Sequence, residues 1–323
     1  MSRVRRAITG LFCCLLFLFG VHVASAADYP TKPIHLLLGY APGGSTDIIS
    51  RIIADKLSQR LGQRILVENR PGGGTTIALN DVAKSEPDGY KLMMTDLAFS
   101  AAPALFEHLP YNPTKDFEPV IMVAVMPAFM AVSKDLPVQS VKDFVELAKS
   151  EPGKLNYGTD GLGSLGHLGP EQLKSLTKIN MVEIPYHGGA PAIQALMRND
   201  VQLVFATAPP LLAFASRIHL LAVTGDERLP VFPDVPTFRE SGYPGMDVNY
   251  WIGVIAPRGT DKKIIEKLNT EINAVLKMQE VEARISKIGA ELIGGTPQHF
   301  GEFLQTQTER WSKFLPTVLP KKK

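Results

Sequence analysis

Residues 34–57 read IHLLLGYAPGGSTDIISRIIADKL, and the fold turns on how this stretch is read. Its first five residues are an apolar run of strand length, which Pro42, Gly43 and Gly44 then break. Ile48, Ile49, Ile52, Ile53 and Leu57 recur at helical spacing and define one buried face. Ser45 or Thr46 is placed to supply an N-cap oxygen, and Asp47 falls in the first turn, where the helix dipole favours negative charge. A strand, a glycine turn and a helix in this order leave backbone N–H groups pointing out of the carboxyl end of a sheet, where anions are readily held. A glycine turn that serves geometry alone has the same letters, so this loop leaves both readings open.

The alternation continues outward from this unit. Residues 64–68 read as a strand, Pro71-Gly72-Gly73-Gly74 leads into a helix over 75–84, and 91–95 is a third strand with Asp96, Leu97 and Ala98 at its carboxyl end. Three strand ends therefore converge on one edge of an α/β structure with a largely parallel sheet. Residues 117–133 are apolar and extended, interrupted by Pro127, and read as a crossing into a second domain; 250–256 carries the chain back. The insert repeats the pattern, with a helix at 141–149, a strand at 155–158, a helix after Ser164, and strands at 181–184 and 201–205. Helices at 262–276, 281–288 and from Thr296-Pro297 to about Phe314 are expected to cover the first domain, with Trp251 and Trp311 in the core. The expected organisation is a signal peptide over 1–26, a discontinuous first domain over 27–127 and 252–323, and a second domain over 128–251.

Composition narrows the functional classes. Arg3, Arg5 and Arg6 precede an apolar run ending in Ala24-Ser25-Ala26, the pattern of a cleavable secretory signal. Both cysteines, Cys13 and Cys14, lie in that run, so the mature chain is expected to use no disulfide, thiolate or cysteine-bound zinc. Removing three arginines from 34 basic residues leaves 31 against 32 acidic ones, which argues against a nucleic-acid surface. Residues 321–323, all lysine, read as a solvated tail.

A second glycine loop, DGLGSLG at 160–166, matches the dinucleotide fingerprint by letter, and Glu183 lies about 20 residues further on. The milder reading is another anion-holding helix terminus. Ser164 lacks the G-x-S-x-G elbow, His167 and His187 lack metal-ligand spacing, and no Walker-type loop occurs. Pro185-Tyr186-His187-Gly188-Gly189 ends another strand and opens another helix.

Several segments in one order, among them YPTKPIHLLLGYAPGGSTD (29–47), VENRPGGG (67–74), LPYNPTKDFEPV (109–120), PGKLNYGTDGLGSLGHL (152–168), PYHGGAPA (185–192) and LAVTGDERLPVFPDVPT (221–237), resemble the Bug/TctC family. These are the periplasmic solute-binding proteins of tripartite tricarboxylate transporters. The resemblance runs from Tyr29 to about Trp311 and implies two α/β domains of the Venus flytrap kind, type II-like, closing over a small carboxylate held by loop backbone and water. It also implies inner-membrane transporter subunits as partners, a periplasmic location, a monomer, and neither cofactor, metal nor nucleic acid. The ligand-binding residues expected on that basis are Tyr40, Ala41, Gly43, Gly44, Ser45, Thr46, Asp96 and Leu97 on the first domain. Thr159, Gly163, Ser164, His167, Tyr186 and Thr207 are expected on the second. Thr95-Asp96-Leu97 and Ala206-Thr207-Ala208 depart from the usual family pattern or fall where it varies. Asp96 is either an N-cap turned toward Leu97 and Ala98 or a cleft residue pairing with an ammonium or hydroxyl of an amino or hydroxy acid. The alternatives to a transport receptor are a secreted α/β enzyme using 160–166 for a phosphate-bearing cofactor, or a ligand-sensing co-receptor.

Overall fold

A computed structural model of the protein describes residues 29–319. The signal peptide expected at 1–26, both cysteines and the lysines at 321–323 lie outside the described residues. The chain opens with β1 (Ile34–Leu38), α1 (Ser45–Leu61), β2 (Ile65–Asn69), α2 (Thr76–Ala83), β3 (Lys91–Asp96), α3 (Leu97–Leu105) and β4 (Phe117–Pro127). It continues through β5 (Phe129–Ser133), α4 (Val141–Ser150), β6 (Asn156–Thr159), α5 (Leu165–Thr177), β7 (Val182–Pro185), α6 (Gly189–Met197), β8 (Leu203–Ala206), α7 (Ala208–Leu212) and β9 (Ile218–Val223). It closes with β10 (Asn249–Pro257), α8 (Lys262–Leu276), α9 (Gln279–Ser286), β11 (Glu291–Leu292) and α10 (Pro297–Phe314).

These strands form two sheets, ordered β11-β4-β10-β3-β1-β2 and β7-β6-β8-β5-β9. In β1, Ile34, Leu36, Leu37 and Leu38 are all buried, because a parallel strand flanked by helices is covered on both faces. It pairs in parallel with β2 and β3, so Leu38, Asn69 and Asp96 end on one edge. In the second sheet β6 pairs in parallel with β7 and β8, bringing Thr159 and Pro185 to one edge, with Ala206 at the end of β8. Each half thus repeats one plan: three parallel strands in the order second, first, third, followed by an antiparallel strand and then a fourth. The antiparallel member is in each case a strand that has just crossed over, β10 in the first sheet and β5 in the second.

Residues 117–133, expected as a crossing interrupted at Pro127, are two strands of different sheets, and the chain changes sheet at Ala128. The return strand begins at Asn249, one residue before the expected 250–256, and Asn249, Tyr250 and Trp251, expected within the second domain, pair with β4 of the first sheet. At this passage Ala128 N–H donates to Thr224 Oγ1 (2.8 Å), Thr224 N–H donates to the Ala128 carbonyl (2.8 Å), and Thr224 Oγ1 donates to Asn249 Oδ1 (3.1 Å). Both crossings are therefore tied through one threonine. Trp251 and Trp311 are core residues, and Trp251 stands edge-on to Phe300 and Phe303 beneath α10.

Candidate functional site

The carboxyl ends of the two sheets meet around a cavity of about 40 Å³, room for on the order of three water molecules. Three helices of two or more turns begin on it. Gly44, Ser45, Thr46 and Asp47 come from the start of α1, Leu165 from α5 and Gly189 from α6, while Thr207 precedes the short α7. The first N–H groups of a helix have no intrahelical acceptor and carry the positive end of its dipole. In α1 the first intrahelical bond is that of Ile48 N–H to the Gly44 carbonyl (3.0 Å), so the N–H groups of Ser45, Thr46 and Asp47 precede it.

The cap of α1 differs from the sequence reading. Gly44 is the N-cap and makes no side-chain capping bond, whereas Ser45 and Thr46 are the first helical residues. Their hydroxyls serve longer reaches. Ser45 Oγ pairs with Thr207 Oγ1 across the cleft, and Thr46 Oγ1 lies 2.6 Å from Tyr250 Oη. The lips also touch through backbone, with Ala41 N–H donating to the His187 carbonyl (2.9 Å). Gly74 (φ +58°) lies so close to Leu162 that a Cβ would sit 2.5 Å from its carbonyl oxygen.

Three carboxylates surround the cavity, each with a different balance. Burial favours the neutral form of Asp47, but bonds from Arg51, Gly43 N–H and Asn69 outweigh it and hold the carboxyl below its usual range. Desolvation raises Asp160, against partial relief from Ser164 and the Gly166 N–H. Asp96 is 2 % exposed, and desolvation pushes it up to about 6 despite bonds from Tyr250, Ala98 N–H and Tyr40. Its Oδ2 accepts from Tyr250 Oη (2.7 Å), and its Oδ1 accepts from Ala98 N–H (2.9 Å) and Tyr40 Oη (3.2 Å). Neither Lys nor Arg lines the cavity among the described residues.

Of the expected ligand residues, Tyr40, Ala41, Gly44, Ser45, Thr46 and Thr207 line this cavity together. Gly43 lies just outside it, its N–H given to Asp47 (3.1 Å). Asp96 caps α3 behind the tyrosines, so the hydroxyls expected from a ligand are supplied by Tyr40 and Tyr250. Leu97 and Thr159 are fully buried beside the strand ends. The loop at 160–166 departs furthest from expectation. Gly161, Gly163, Ser164 and Gly166 give their N–H groups to Thr159 Oγ1, His167 Nδ1, the Gly161 carbonyl and Asp160 Oδ1. Gly163 packs on Ala98, Ala101 and Leu105 of the other half, and buried Ser164 and His167 stand behind it. A loop whose donors are committed internally makes no phosphate cradle. Tyr186 lines a second recess of about 320 Å³, which shares Asp160 with the first. Tyr250, Asp47, Asn69 and Asp160 are cavity residues that the sequence reading did not include.

Two sheets of one plan, joined by tied crossings and enclosing a cavity at facing strand ends, are the architecture of the periplasmic solute-binding proteins. The chain belongs to the tripartite tricarboxylate transporter family receptors, TctC, whose model matches residues 49–318. It is a transport receptor and a binding protein, not an enzyme, which sets aside the cofactor reading of 160–166. It is similar to a Rhodopseudomonas palustris protein solved with adipate, at 36% identity and a TM-score of 0.87, over 90% of this chain and 98% of the other. It is similar to the periplasmic binding protein BugD at 31% identity and a TM-score of 0.86, over 90% and 98%. It is also similar to MatC from Rhodopseudomonas palustris with bound malate, at 33% identity and a TM-score of 0.85, over 88% and 99%.

Proposed function

We propose that the mature protein captures a small organic carboxylate in the periplasm and delivers it to the membrane subunits of a tripartite tricarboxylate-type transporter. The observation that carries this reading is the convergence of the α1 and α6 N-termini, whose early N–H groups are not taken up by their own loops, on a cavity with no cationic side chain among its described lining residues. Helix dipoles and unpaired N–H groups favour an anion there, and the absence of a fixed cation suits a ligand that must later be released. The adipate and malate of the two R. palustris relatives are of this class. Export through the signal at 1–26 supports the periplasmic location.

Two domains, divided at Ala128 and again just before Asn249, close over the ligand by bending at the tied passage through Ala128, Thr224 and Asn249. A hinge confined to a few residues at element ends is the usual geometry of such closure. Calorimetry of the purified mature chain against mono-, di- and tricarboxylates tests the ligand class; binding of a nucleotide or sugar with no carboxylate response would sink it. Scattering with and without the bound acid tests closure, which should shorten the radius of gyration.

A further inference from the structure

While Asp96 is ionised, the hydroxyls around it have only one arrangement of protons open to them, and that arrangement bears on selectivity. We infer that Asp96 is a positioning residue that turns the hydroxyls of Tyr40, Tyr250 and Thr46 into hydrogen-bond acceptors, so that the cavity selects a carboxylate that also carries a donor: a hydroxy or amino acid. This rests on the carboxylate reading above and adds the second half of the ligand to it.

An ionised Asp96 has no proton to give. The 2.7 Å contact between Tyr250 Oη and Asp96 Oδ2 therefore carries the tyrosine's proton, and so does the 3.2 Å contact from Tyr40. With its proton committed, Tyr250 can only accept in its 2.6 Å contact with Thr46, so Thr46 donates to it. All three hydroxyls hand their protons inward in sequence, and what remains on each oxygen is lone pairs. Tyr40, Tyr250 and Thr46 line the cavity, while Asp96 stands behind them. The wall they form accepts, and the helix ends opposite donate. A plain polycarboxylate would satisfy the donors but leave the acceptors facing anionic oxygens, which is costly in a desolvated site. A hydroxyl or ammonium satisfies both.

One proton on Asp96 reverses the row. Its O–H then donates to Tyr250, Tyr250 to Thr46, and the Thr46 proton turns outward as a donor. The groups facing Asp96 are Tyr40 after β1, Tyr250 on β10, Tyr111 before β4 and Asp160 from the second half, with no cation among those that shift it. The carboxyl titrates at about 6, so the reversal falls between pH 7.5 and pH 5.

The test is calorimetry of (S)-malate, aspartate and succinate, which differ at one substituent, with adipate as a carboxylate lacking any other donor. The native mature chain should prefer malate or aspartate to succinate by about tenfold at pH 7.5, the worth of one hydrogen bond, and by at least threefold less at pH 5. In Asp96→Asn, the side-chain amide caps α3 and donates to Tyr250, so the preference should shrink and become flat with pH. Ligand ionisation is common to both proteins and cancels between them. Should Asp96→Asn lose its native circular dichroism, Tyr250→Phe replaces it. That change removes the acceptor of Thr46, frees its proton outward and should reduce the preference with Asp96 in place. Equal binding of malate, aspartate and succinate by the native chain, an unchanged preference in the variants, or binding of adipate alone overturns the inference and leaves the carboxylate receptor standing. Failure to bind any of the four acids overturns both.

Discussion

Two loops of this molecule, 39–47 and 159–167, share one plan, a strand that ends in glycines and opens a helix, yet they do different work. In the first, α1 starts without a side-chain cap, and its early N–H groups face a cavity. In the second, four N–H groups are bound within the loop itself, and Gly163 is packed against α3 of the opposite half. Their carboxylates differ in the same sense. Asp47 has Arg51 and Asn69 beside it and is held ionised, whereas Asp160 has no basic partner among its bonds and is raised by burial. The glycine pattern predicts the turn; the acceptors within reach of the turn decide whether it binds anything.

The largest expected effect comes from the point where the lips meet. Gly74→Ala places a methyl 2.5 Å from the Leu162 carbonyl at φ +58°. The closed arrangement is then excluded, and carboxylate affinity should fall by about 10- to 100-fold through a shifted closure equilibrium. Calorimetry together with a larger radius of gyration in the presence of ligand would show it.

Alanine at the key glycine of each loop should separate stability from binding. Gly163→Ala forces a side chain onto φ +83° and crowds Leu105, so unfolding in urea should show a loss of about 1–2 kcal/mol. Gly44→Ala sits at φ −79° with open space around it and should change stability by less than about 1 kcal/mol. It adds volume to the cavity wall, so the same variant should weaken ligand by about tenfold. Equal stability losses at the two positions would erase the distinction between the loops.

The aspartates should give opposite pH signatures. Asp47 titrates below its unfolded value of about 4, so its stabilisation is complete above that pH and disappears as the pH falls through its folded value. Asp47→Asn should cost about 1–2 kcal/mol at pH 7 and little in acid. Asp160 titrates above its unfolded value, so native stability declines as the pH rises from about 4 through its folded value. Asp160→Asn should therefore gain stability at pH 7 relative to pH 4. Parallel urea titrations at pH 3, 4 and 7 measure both signs.

The smallest effect expected is from a dinucleotide. With its donors committed, the 160–166 loop should leave the melting temperature within about 1 °C when NAD is added at millimolar concentration. A larger shift would mean that the loop opens and would put it in the same class as the first.

Reading along the chain located β1, α1, β3 and the helices at Lys262–Leu276 and Pro297–Phe314 closely, since each carries strong periodicity bounded by Gly, Pro or a capping residue. β9 escaped notice because IHLLAV follows an apolar stretch without a strong turn signal, and its assignment depends on pairing with β5. The crossing at 117–133 is legible from its length, beyond that of one ordinary strand, and from the break at Pro127, but the sheet that each half joins is not. Its two halves are equally apolar, and only their partners, β10 for one and β8 with β9 for the other, assign them to different sheets.

The same boundary runs through the site. Glycine positions, helix starts and the absence of basic residues in the loops are local properties of the letters, so Tyr40, Gly44, Ser45, Thr46 and Thr207 could be chosen in advance. Tyr250 could not be, because it approaches Asp96 from 154 residues away on a strand that reads simply as apolar. Nor could the commitment of Gly163 to packing or the inward turn of the three hydroxyls. Local preference depends on the few residues nearest in the chain, whereas burial, proton direction and the pairing of a carboxylate depend on neighbours that only the closed tertiary fold brings within 3 Å.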